Sequence, residues 1–110
     1  MPLPVQTIAC VNDAAFVMSF GLEILDMNTG IPLILENVDT GNYPIDQTRS
    51  IDLSTTGIAE GTWVRPQVRA VWGDTNLGNR YVQYAQNGQT ASYDVSGTTL
   101  NYSVNLITAS

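Results

Sequence analysis

A chain of 110 residues, 44% apolar and only 13% charged, is of single-domain size and should fold around one core beneath a polar, largely uncharged surface. Ten carboxylates against four arginines leave a net charge of −6, which repels nucleic acid and anionic membranes at long range, so neither is an expected partner. Without histidine or lysine there is no Ser-His-Asp or Cys-His nucleophile, no Ser-Lys dyad and no phosphate-loop lysine, and no carboxylate pair is marked out for hydrolysis; the expectation is a protein without catalysis.

The single cysteine, Cys10, cannot form an internal disulfide and is expected to fill a core position in the first strand. The stretch "VQTIACVNDAAFVMSF" lacks a basic n-region and is broken by Asn12 and Asp13. The expected location is the cytoplasm, or release after removal of a leader.

From Ala14 to Leu25 the chain alternates, with Phe16, Met18, Phe20, Leu22 and Ile24 on one side, so a half-buried strand is predicted. "DMNTG" then supplies a turn, and "IPLIL" returns as a strand that Pro32 assigns to a sheet edge. Residues 36–47 read as a long polar loop. Asn37, Asp39, Asn42 and Asp46 there offer oxygen ligands for calcium, but Asx residues in loops are more commonly turn formers, and neither a metal nor another cofactor is expected.

Thr48 to Leu53 reads as a short strand. In residues 62–72, "TWVRPQVRAVW", Val64, Val68, Ala70 and Trp72 share the predicted inner side and Trp63, Arg65, Gln67 and Arg69 the outer, with Pro66 implying an edge or a bulge. The segment 81–106 is the most regular. Asn87-Gly88 has the chemistry of a two-residue hairpin, and Ser96-Gly97 is a second candidate turn. Together they predict a C-terminal three-strand meander with Val82, Tyr84, Ala91, Tyr93, Leu100, Tyr102, Val104 and Leu106 inward, and Tyr81, Gln83, Ser92, Asp94, Asn101, Ser103 and Asn105 outward. Asn101-Tyr102-Ser103 also matches a glycosylation sequon, though it falls in a predicted strand.

No segment shows a capped helical period, so residues 1–110 are expected to form one all-β domain: an antiparallel β-sandwich, or a small barrel, of about seven to eight strands. An antiparallel sheet ordinarily leaves one polar face to water. The scarcity of charge on this face nevertheless suits a ligand surface or a subunit contact. The leading expectation is a lectin-like carbohydrate-binding module with a glycan or glycoconjugate as partner. Trp63, Arg65, Arg69, Tyr81, Gln83, Asp94 and Asn101 would bind it, the amides, carboxylate and Arg forks meeting hydroxyls and the rings covering C–H faces. The alternatives are a membrane-active or defence sandwich meeting lipid around Tyr43 and Trp63, and a self-assembling structural module; a homo-oligomer fits either the lectin or the structural reading.

Overall fold

The computed structural model describes residues 2–110. Its strands are β1 (Pro4–Val5), β2 (Thr7–Asn12), β3 (Met18–Leu25), β4 (Pro32–Asp39), β5 (Thr48–Asp52), β6 (Trp63–Ala70), β7 (Thr75–Leu77), β8 (Val82–Tyr84), β9 (Thr90–Thr98) and β10 (Asn101–Ala109), with one 3₁₀ turn at Leu53–Thr55. One six-stranded sheet runs β1-β8-β6-β3-β4, with β7 also paired to β6, and a four-stranded sheet runs β10-β9-β2-β5. The two open sheets enclose one core, in which Phe20, Leu22, Val64, Val68 and Val82 from the larger meet Ile8, Cys10, Tyr93 and Val95 from the smaller. The expected all-β sandwich is present; a barrel is not.

Both sheets are mixed rather than antiparallel, because β1 pairs with β8 in parallel and β2 with β9 in parallel. Two chain segments cause this by crossing between the sheets side by side. The first passes from β1 through Gln6 into β2, and the second from β8 through residues 85–89 into β9.

The crossing corrects the predicted meander. Gly88 does take positive φ, 73°, but Asn87-Gly88 closes no hairpin, since β8 and β9 lie in different sheets. Its polar groups instead dock on the neighbouring crossing: Asn87 Nδ2 donates to Pro4 O, Gly88 N to Gln6 Oε1, and the Gln6 and Thr7 amides to Gln89 O. The final hairpin also turns at Thr99-Leu100 rather than Ser96-Gly97, with Thr98 opposite Asn101 and Val95 opposite Val104. Displacing a turn by three residues moves each cross-strand partner as far as the Tyr93–Leu106 pair by six positions, an even number, so the faces survive the wrong register there. Tyr84, Tyr93 and Tyr102 are accordingly buried.

Two smaller differences have local causes. The strand β4 continues to Asp39, which shortens the predicted loop and places Asn37 and Asp39 on a strand. It forms the sheet edge that Pro32 implied. Pro66 lies in an interior strand, but between the part of β6 that pairs with β8 (Trp63, Val64) and the part that pairs with β7 (Gln67 to Arg69), where a missing N–H is tolerated.

Candidate functional site

The alternation that carries Val64, Val68 and Ala70 into the core ends at Ala70. Gly73 N and the Asp74 carbonyl both bond to Ala70, forming a tight turn in which Trp72 adopts φ 64°. Its side chain is 95% exposed, which overturns its assignment to the core. The Gly73-Asp74 pair immediately after it was the available signal, since turn chemistry cancels strand periodicity.

Three further loops reach the same end of the sandwich. They are 13–17 between β2 and β3, 40–47 between β4 and β5, and the Thr99-Leu100 turn between β9 and β10. Backbone hydrogen bonds tie them together: Val71 N to Val17 O (2.9 Å), Asp74 N to Thr99 O (3.0 Å), Ala15 N to Gly97 O (3.2 Å), and the reciprocal Met18–Tyr43 pair (2.7 and 3.0 Å). Each loop displays an exposed apolar side chain: Val17, Ile45, Trp72 and Leu100, the last 70% exposed rather than inward as predicted.

The layer beneath is rigid. Asn12 is buried, donates to Phe16 O and Tyr43 O, and accepts from Ala14 N, linking three segments through one amide. Tyr43 is buried as well, with its hydroxyl donating to Cys10 O, so it is no surface ring. The Tyr102 hydroxyl lies 3.0 Å from Val68 O and 2.6 Å from Asp74 O, and its ring packs 4.8 Å from that of Phe16. A Cβ at Gly73 would collide with the Thr99 carbonyl, and one at Gly97 with Asn101 O and Tyr102. Small residues thus let the turns approach closely enough to hold Trp72 and Leu100 outward.

The residues predicted to bind a glycan divide between two surfaces. Trp63, Arg65, Arg69, Tyr81 and Gln83 belong to the larger sheet or its approach, whereas Asp94 and Asn101 lie on β9 and β10 of the smaller one. The single polar layer expected across residues 81–106 is therefore split. Arg69 is committed to Asp39 (2.7 Å) and Gln67 (3.0 Å).

Three of the predicted residues do converge. Glu23, opposite Arg65 across the β3–β6 ladder, is buried and accepts from Arg65 Nε (2.9 Å) and from the Tyr81 hydroxyl. The Arg65 guanidinium also stacks 4.5 Å over Tyr81, and the Trp63 ring lies 6.4 Å from it at 47°. Burial, and then the bond to Glu23, pushes the Tyr81 hydroxyl pKa up. Beside them a cleft of about 350 Å³ is lined by Pro2, Leu3, Trp63, Arg80, Tyr81 and Leu106. Leu3, Arg80 and Leu106 were not anticipated, because they come from three distant parts of the chain with no local motif.

Carboxylates prevail toward the Trp72 end. Hydrogen bonding with Asp13, then burial, then the Asp13 charge raise Asp94 to about 6, while a bond with Ser96 opposes the shift. The Arg49 guanidinium lies 5.2 Å over the Tyr43 ring. Among the described residues no cluster of three or more acidic or cysteine side chains is placed to hold a metal. No helix of the described residues is long and apolar enough to cross a membrane.

No protein-family model matches the chain, and no curated protein matches it. Solved structures do. One described as a trapped toxin aligns at 15% identity and TM-score 0.50 over 93% of this chain and 23% of its own. Another, of the sugar-binding protein pneumolysin, aligns at 14% identity and TM-score 0.49 over 93% and 23%. The membrane-binding domain of pneumolysin aligns at 16% identity and TM-score 0.46 over 94% and 96%. The chain thus spans less than a quarter of the first two of these structures, and the likeness to the trapped toxin extends to the fold.

Proposed function

We propose that this protein is a membrane-active module that docks on lipid through the four loops at one end of its sandwich, with Trp72 as the principal anchor. The observation that carries this reading is Trp72 itself: fully exposed, at φ 64°, on a turn braced by the layer beneath. A bulky residue in the left-handed region costs about 1–2 kcal/mol. Leaving an indole in water forgoes about 5 kcal/mol of apolar burial. The second is not recovered within the chain, and it is recovered if the ring is buried against something outside it. Indole is the side chain best suited to the lipid headgroup boundary, and Leu100, Ile45 and Val17 add further exposed apolar surface on the neighbouring loops.

The electrostatics choose the lipid. With a net charge of −6 and Asp13, Asp46 and Asp74 on these loops, the end is suited to a zwitterionic membrane, so attachment is apolar and insensitive to salt. This reading keeps the expected repulsion from anionic surfaces and replaces Tyr43 and Trp63 with Trp72 and Leu100 as the contacts.

The test is co-sedimentation with phosphatidylcholine vesicles, in parallel with tryptophan emission. Binding with a blue shift is expected, and Trp72→Ala should weaken it more than tenfold while the protein stays folded. Absence of binding at millimolar lipid, or full binding by Trp72→Ala, would remove the proposal.

A further inference from the structure

We infer that the cleft formed by Trp63, Tyr81, Leu3, Leu106 and Arg80 is a second binding site, which takes an acidic sugar ring at the end of a glycan. It lies at the Trp63 end of β6, whose eight residues span roughly 25 Å and finish just before Trp72. The site is independent of the lipid-facing loops.

The cleft is built rather than incidental. The segment 78–81 that carries Arg80 and Tyr81 is fixed to both sheets, by Gly78 N to Pro66 O (2.8 Å) on one side and by Asn79 N to Val104 O (2.9 Å) and Leu106 N to Asn79 Oδ1 (2.8 Å) on the other. Tyr93 adds a hydroxyl bond to Arg80 O at 2.7 Å. Tyr81 is clamped by Glu23 and Arg65, and its ring in turn confronts Trp63. The result is an aromatic wall whose orientation is set before any ligand arrives.

Charge selects the occupant. Arg65 and Arg69 are paired with carboxylates, whereas the Arg80 guanidinium, exposed at the cleft, has no carboxylate or hydrogen-bond acceptor among the described residues. An unpaired guanidinium beside two rings offers bidentate bonds to a carboxylate and a flat apolar surface to the atoms behind it. A volume of about 350 Å³ lies at the small end of the range for ligand sites. It suits a single pyranose with a carboxylate better than an extended chain. A neutral sugar leaves Arg80 unsatisfied.

The test is an amide and indole NMR titration of the whole chain with sialyllactose, lactose and decanoate, each to about 20 mM to reach weak sites. Sialyllactose should shift the Trp63 indole and the Leu3, Arg80 and Leu106 amides and leave Trp72 unmoved. Arg80→Gln, a surface change that leaves the fold intact, should weaken this by about tenfold. Trp72→Ala should leave the sugar titration unchanged, so loss of vesicle binding and loss of sugar binding are separable. No shifts with sialyllactose, equal shifts with lactose, or stronger shifts with decanoate would each overturn the assignment.

Discussion

The two ends of the sandwich treat their aromatic residues in opposite ways. At one, Trp72 is in water on a strained backbone, with a rigid layer of buried amide and tyrosine hydroxyl bonds behind it. At the other, Trp63 and Tyr81 are half-buried, and Tyr81 is held in place by Arg65 and a buried carboxylate. The first arrangement gains only when a large apolar phase covers it. The second is already stable and leaves the Arg80 cation without a carboxylate among the described residues.

Rigidity beneath Trp72 should break most severely with Gly97→Val. Gly97 has φ 128°, and a side chain there would strike Asn101 O and Tyr102, so a loss of about 4 kcal/mol is expected in urea unfolding. At the opposite end, Glu23→Ala leaves Arg65 without its carboxylate and should cost about 3 kcal/mol, with Trp63 emission moving red as the wall loosens. If Glu23→Ala proved silent, the aromatic wall would not depend on that pair.

Asp94 gives a smaller, pH-dependent contrast. Its folded-state pKa, about 6, lies above the ordinary carboxylate value of 3.8, so the native state binds the proton more tightly than the unfolded chain. That contribution is present at low pH and is lost as pH rises from about 4 to about 6. Asp94→Asn should flatten the melting temperature across this window and raise it near neutrality; an unchanged pH profile would mean that the Asp13–Asp94 interaction contributes nothing. The smallest effect is expected for Trp72→Gly, which relieves the left-handed strain and should stabilise the free protein by about 1 kcal/mol while abolishing vesicle attachment. A destabilised Trp72→Gly would show that the indole serves the fold, and the contrast between the two ends would fail.

Much of the fold was legible in the sequence. Period two placed Met18, Phe20 and Leu22, Val64 and Val68, and Tyr84, Tyr93 and Tyr102 inside, and Pro32 marked the sheet edge. Trp63, Arg65 and Tyr81 were grouped in advance because they alternate outward on their own segments, and they do meet. Trp72 was misplaced because alternation was carried two residues past the end of β6 into a turn. Leu100 was misplaced because Ser96-Gly97 competes as a turn with the pair actually used. Asp94 and Asn101 were assigned to the same surface as Tyr81 and Gln83 on the assumption that Asn87-Gly88 kept three strands in one layer.

Side-chain alternation is a local property of extended backbone, so the sequence alone determined which residues of β6, β8 and β9 face the core. Which strands become neighbours depends on contacts between segments far apart in the chain, and those were decided only in three dimensions. The docking of Asn87 and Gly88 on Pro4 and Gln6 sends β9 to the second sheet, and the closeness of Gly73 to Thr99 brings Trp72 and Leu100 to one end. Both proposed sites arise from such pairings, because each needs side chains delivered by segments that no short stretch of sequence connects.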